Sequence, residues 1–175
     1  MKKGIVCLLV FTLLFSFAAC GSGQSSENGD QTNVTDAAKS ETSTPQAVVK
    51  LFLEACAKGD HEAYKAVLSE KGDLVDDETF YDFSGELKNL LNKDGGAGSE
   101  AVNVELRIKE TRTLQGDSLA AYMQENYEAT PGDYNVTQGT VLLFESYLNG
   151  QEIDDDCFAF VTLENGAWKL MDFAC

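Results

Sequence analysis

Histidine is almost missing from this 175-residue chain: His61 is the only one. No Cys-x-x-Cys pair occurs either. Together these absences remove most zinc sites and the designs in which an imidazole activates a serine or cysteine. Basic side chains are scarce, 13 Lys and Arg against 29 Asp and Glu, for a formal net charge of −16. Such a surface repels nucleic acid and anionic headgroups, so neither is an expected partner. The one long apolar run, Ile5 to Ala19, falls short of the roughly 20 residues that a membrane-crossing helix needs. The glycine-rich stretch Lys93 to Gly98 lacks phosphate-loop spacing and the closing Lys-Ser/Thr, and reads as a connector.

What the N-terminus does have is an order of features. Lys2 and Lys3 precede the apolar run, and Phe17-Ala18-Ala19-Cys20 follows it. A basic start, a short greasy middle and small residues before a cut site make a secretory signal. The cysteine after the cut resembles the lipobox of bacterial lipoproteins, although Phe17 stands where that family prefers Leu. The rival readings are a plain signal peptide with a chance cysteine and a buried helix, for which the polar stretch that follows offers no packing partners. The resemblance implies that residues 1–19 are removed and that Cys20 becomes the lipidated N-terminus. The protein would then sit on the extracytoplasmic face of the cell membrane. Without Lys2 and Lys3, 11 basic side chains face 29 acidic ones, a net charge of −18. Attachment would thus come from lipid rather than from a basic patch. Residues 20–44 continue as a polar string without an aromatic residue, too poor in apolar surface to offset the entropy of ordering. They read as a tether.

Residues 45–175 read as one folded domain. Thr44-Pro45 is a helix start, and Val48, Val49, Phe52, Leu53 and Cys56 then recur at helical spacing up to Gly59. Asp60 caps a second helix, about His61 to Ser69, and a third runs from about Asp77 to Asn92. From Ala101 the period becomes two, with Val102, Val104, Leu106 and Ile108 alternating with polar residues to Lys109. A short helix follows at Gly116 to Tyr127 and ends at Pro131-Gly132. Three strands close the chain, at about 134–148, 152–163 and 167–173, joined at Asn149-Gly150 and Asn165-Gly166. Helices first and an antiparallel meander after predict an α+β fold with helices on one sheet face.

Beyond the signal and Cys20, three cysteines remain: Cys56, Cys157 and Cys175. A regular two-residue turn at Asn165-Gly166 sets Cys157 opposite Ala174 and sends Cys175 to the other face. One extra loop or bulge residue sets Cys157 opposite Cys175 and permits a disulfide. Both registers stay open, and Cys56 is expected to be a buried apolar residue.

The polar tether, Thr44-Pro45-Gln46-Ala47-Val48-Val49-Lys50-Leu51-Phe52-Leu53-Glu54-Ala55, Lys58-Gly59-Asp60 and the closing Asn165-Gly166-Ala167-Trp168-Lys169-Leu170 together resemble a known pattern. It is that of small Gram-positive lipoproteins with a nuclear-transport-factor-2-like, or cystatin-like, domain. The resemblance implies a cone-shaped domain in which a strongly curved antiparallel sheet wraps N-terminal helices around a cleft. Proteins of this fold include isomerases, dehydratases, dimerisation modules and lipoproteins without assigned activity, so the fold does not name the function. Its enzymes use a carboxylate inside the cone, which draws attention to Glu145 with Tyr147, Phe160 and Trp168 as cleft residues. The plainer alternatives are a strand carboxylate on a solvated face and aromatics that are ordinary core. Asp172 invites the same comparison, and His61 at a helix junction offers little as a base. Asp154-Asp155-Asp156 reads as solvated charge, since adjacent strand residues point to opposite faces and cannot share a calcium ion. The expectation is a non-catalytic domain, without cofactor or metal, that binds a small apolar ligand or a protein partner. A small enzyme using Glu145 is the competitor.

Overall fold

Thr44 holds its first helix in place by accepting a hydrogen bond at Oγ1 from the Ala47 amide, 3.2 Å away. That helix, α1 (Pro45–Lys58), ends where Gly59 takes a left-handed φ of 69°. In this computed structural model, residues 43–72, 77–93 and 101–175 are described. The expected signal, Cys20 and the tether before residue 43 lie outside them, as does most of the glycine-rich connector. Asp60 then caps α2 (His61–Val67) by accepting from the Ala63 amide, and α3 (Asp77–Lys93) follows.

The strands are β1 (Val104–Leu114), β2 (Val136–Leu148), β3 (Gln151–Glu164) and β4 (Ala167–Ala174). Helix α4 (Gly116–Tyr127) and a single 3-10 turn (Pro131–Tyr134) connect β1 to β2. The fold is α+β: among the described residues, four α-helices accompany one antiparallel sheet in the order β1-β2-β3-β4, which does not close on itself. Asn149-Gly150 and Asn165-Gly166 make the two tight turns with all four φ values positive, the geometry that matches strand twist.

Helices cover both faces of this sheet, which corrects the expectation of helices on one face. Val49, Phe52, Leu53 and Tyr64 of α1 and α2 pack with Leu142, Phe144, Ala159, Val161 and Leu170 on the first face. Leu119 and Met123 of α4 pack with Val141, Phe160 and Met171 on the second. Alternation along β2 and β3 makes this possible, because each strand is apolar on both sides where α4 lies.

Of the register shifts in the sheet, those in β1, β3 and β4 re-aim side chains. In β1 the register shifts between Ile108 and Glu110, leaving Lys109 as the extra residue. The strand runs on to Leu114 instead of ending near Lys109, and Ile108, expected in the core, is 39 % exposed. In β3 the shifts fall around Asp154 to Asp156. In β4, Val161 opposes Leu170 whereas Phe160 opposes Asp172, so Met171 is the extra residue. Phe158 then opposes Ala174, and Cys157 meets Cys175 in a disulfide with an S–S distance of 1.98 Å. Of the two registers open in the sequence, the bulged one is formed.

The sheet's two edges differ. Along β4, Leu68 bridges to Leu170 and the Ser69 amide donates to the Leu170 carbonyl. The outer edge of β1 has no strand partner among the described residues.

Candidate functional site

Glu145 lies on the second face of β2, opposite Arg107 of β1, beyond the part that α4 covers. Its Oε2 accepts a hydrogen bond from the Tyr147 hydroxyl at 2.9 Å, and Lys109 Nζ stands 3.8 Å from Oε1. The same hydroxyl reaches Glu152 at 3.5 Å, and the Arg107 guanidinium stacks 4.1 Å over the Tyr147 ring. Arg107 also donates from Nε to Glu105 Oε1 at 2.9 Å, which raises its pKa. Hydrogen bonding to the Glu145 carboxylate is the main cause that raises the Tyr147 phenol above its ordinary value. This is a compensated polar layer on a solvated surface. The Glu145 side chain is 30 % exposed, and its two carboxylate oxygens are engaged by the Tyr147 hydroxyl and by Lys109.

The other two expected cleft residues are elsewhere. Phe160 is fully buried under α4, its ring 4.8 Å from Tyr122 and 5.6 Å from Tyr127. Trp168 packs at the margin of the first-face core. The structure therefore brings Glu145 and Tyr147 together and separates both from Phe160 and from Trp168.

His61 has a partner that the sequence did not reveal. Asp60 is occupied as a cap, and the His61 ring meets Asp77 Oδ1 at 2.9 Å across the α2–α3 junction. Lys65 Nζ stands 3.1 Å from the same oxygen, and its hydrogen bond is the largest cause that lowers the Asp77 pKa, with His61 adding to it. The ring is otherwise walled by Phe80 at 4.7 Å and Tyr81 at 6.0 Å. The arrangement pins the start of α3 to α2.

Asp172 is also paired. Because the bulge at Met171 turns it toward α4, its Oδ2 accepts from the Tyr127 hydroxyl at 3.0 Å. Beside it, burial is the main cause that raises the Tyr122 phenol, and the Arg112 guanidinium lies 5.3 Å from that ring. Asp154 Oδ1 accepts from the Asp156 amide, and the Asp155 carbonyl accepts from Lys109 Nζ, so part of the acidic run is spent on its own backbone and on β1. Among the described residues no three His, Cys, Asp or Glu side chains are grouped to hold a metal ion. Ser146, fully buried, brings Oγ within 3.1 Å of Cys157 Sγ.

Three concave surfaces among the described residues are shallow and open. One of about 470 Å³ lies between α1 and the start of β1, lined by Gln46, Lys50, Val104 and Leu106. Another of about 600 Å³ lies between the end of β1 and α4, lined by Arg112, Leu114, Tyr122 and Glu125. A third, of about 310 Å³, lies between α3 and β3 around Leu90 and Ile153. No helix among the described residues is long and apolar enough to cross a membrane. No protein-family model matches the chain, and no curated protein or solved structure matches it either.

Proposed function

We propose that this chain is a lipid-anchored, extracytoplasmic protein whose domain works by binding rather than by catalysis, with a protein partner favoured over a small apolar ligand. The observation that carries this reading is the filling of both sheet faces. Phe52, Tyr64 and Phe144 on one face and Phe160 and Met123 on the other are at most 1 % exposed. Phe160, and at the margin Trp168, are spent on core packing, and the concave surfaces described above are open depressions rather than enclosed pockets. The carboxylate that would serve an enzyme is ion-paired on the surface.

The nuclear-transport-factor-2-like arrangement is part of this proposal. Its support is the order of elements, with three helices first, then an antiparallel sheet whose first face they cover. Helix α4 on the second face is a departure from the plain cone. The anchor rests on the Phe17-Ala18-Ala19-Cys20 motif alone. Mass spectrometry of the membrane fraction tests it: a diacylglyceryl-modified Cys20 at the new N-terminus is expected, and an unmodified Cys20 overturns it. For the domain, the test is a substrate screen with wild type and Glu145→Gln. The expected result is no turnover in either; a turnover that Glu145→Gln abolishes while binding persists would replace this reading with the enzyme.

A further inference from the structure

The chain has only two arginines, and both lie on β1, the strand whose outer edge is free of strand partners among the described residues. The bulge at Lys109 decides how they are presented. Glu105 and Arg107 oppose Tyr147 and Glu145, whereas Glu110 and Arg112 oppose Leu143 and Val141. All four of these β2 positions belong to the second face, so Glu105, Arg107, Glu110 and Arg112 point the same way in the order minus, plus, minus, plus. Without the extra residue, Glu110 and Arg112 would point to the other face. Lys109 itself leaves the edge, reaching inward to Glu145 and to the Asp155 carbonyl.

We infer that this edge pairs with the same edge of a second copy, β1 antiparallel to β1, to make one continuous eight-stranded sheet. In that register Glu105 faces the second copy's Arg112 and Arg107 faces its Glu110, giving four cross-strand pairs of opposite charge about a two-fold axis. Each pair joins side chains on the same face, which a regular strand in this register would not allow. Ile108, one of only two large apolar side chains exposed among the described residues, falls at the axis against its own copy. The helices are compatible too. On the first face α1 borders only the start of β1, while Thr111 and Thr113 are exposed. On the second face α4 covers only the end of β1. The two-fold therefore sets each helix beside the bare end of the partner's strand. Charged side chains and bulges ordinarily keep an edge from pairing at random; here their order leaves one partner that fits. The inference rests on the sheet alone and is independent of the proposed anchor.

The test is the oligomeric state of the full-length chain in non-ionic detergent, measured by sedimentation over a dilution series. The wild type is expected to dimerise. Arg112→Glu alone should weaken the dimer about tenfold, because it converts two opposite-charge pairs into like-charge ones; Glu105→Arg does the same and also breaks the pair with Arg107 of its own strand. The double variant Glu105→Arg/Arg112→Glu should restore it. Within one chain these positions stand about 23 Å apart along the strand, so only pairing between copies predicts the rescue. If either reversal fails to fold, Ile108→Lys at an already exposed position should weaken the dimer in its place. Four results overturn the inference: a monomeric wild type whose β1 amides exchange fast, leaving the edge to another protein; a monomer whose outward β1 amides exchange slowly, covered by its own chain; a dimer indifferent to the single variants; or a double variant that is not rescued.

Discussion

A methyl group added at Gly139 would stand 2.7 Å from Cε2 of Phe160, buried under α4, and 2.9 Å from Cδ1 of Leu119, on the buried side of α4. Neither neighbour can retreat without disturbing the helix, so Gly139→Ala should cost about 1 to 3 kcal/mol, seen as a lower urea midpoint at unchanged slope. Cys56 makes a different prediction. Burial pushes its thiol up to about 12 from 9.0, so the folded chain keeps the proton longer than the unfolded one. With the folded value raised, the contribution is full below pH 9.0 and is lost as pH rises toward 12. Stability should therefore fall more steeply in that window for wild type than for Cys56→Ala, in denaturant melts run at each pH. The native thiol should also resist alkylation at neutral pH and react once urea unfolds the chain.

Among the elements, β4 depends most on a covalent link. The Cys157–Cys175 bridge spans 18 residues, and its reduction should remove about 3 kcal/mol in the chain-entropy account, with amide protection lost first in β4. Denaturation of the oxidised and reduced protein, with hydrogen exchange on each, checks both statements. That strand also marks the boundary of what the sequence makes legible. Helix ends at Thr44, Gly59 and Asp60 and turns at Asn149-Gly150 and Asn165-Gly166 are local matters of capping and positive φ, and they stand as read. A bulge is not local: the extra residue at Met171 lets Cys157 meet Cys175 and turns Asp172 toward Tyr127, and no residue type announces it. The second covered face is legible in the sequence. Val141-Leu142-Leu143-Phe144 and Phe158-Ala159-Phe160-Val161 are unbroken apolar runs of the kind that doubly covered strands carry. Glu145 illustrates the remaining limit, since whether a strand carboxylate meets a cavity or Lys109 depends on the neighbouring strand's register.

At the scale of the whole molecule, one sheet separates two cores. Phe52→Ala and Phe160→Ala, each expected to cost about 3 to 5 kcal/mol, should add to within about 0.5 kcal/mol in a double-variant cycle, because they empty opposite faces without shared partners. The same sheet has a temporal consequence. Its spatial order is its chain order, yet the pairs are not equally near: two-residue turns close β2 on β3 and β3 on β4, whereas α4 and the 3-10 turn intervene before β1 meets β2. Closing the short loops costs the least entropy, so the transition state should hold the three C-terminal strands and leave β1 and α4 to dock afterwards. Gly166→Ala, strained at a φ of 83°, should then slow folding, while Leu114→Ala should mainly hasten unfolding, both read from the arms of a chevron plot.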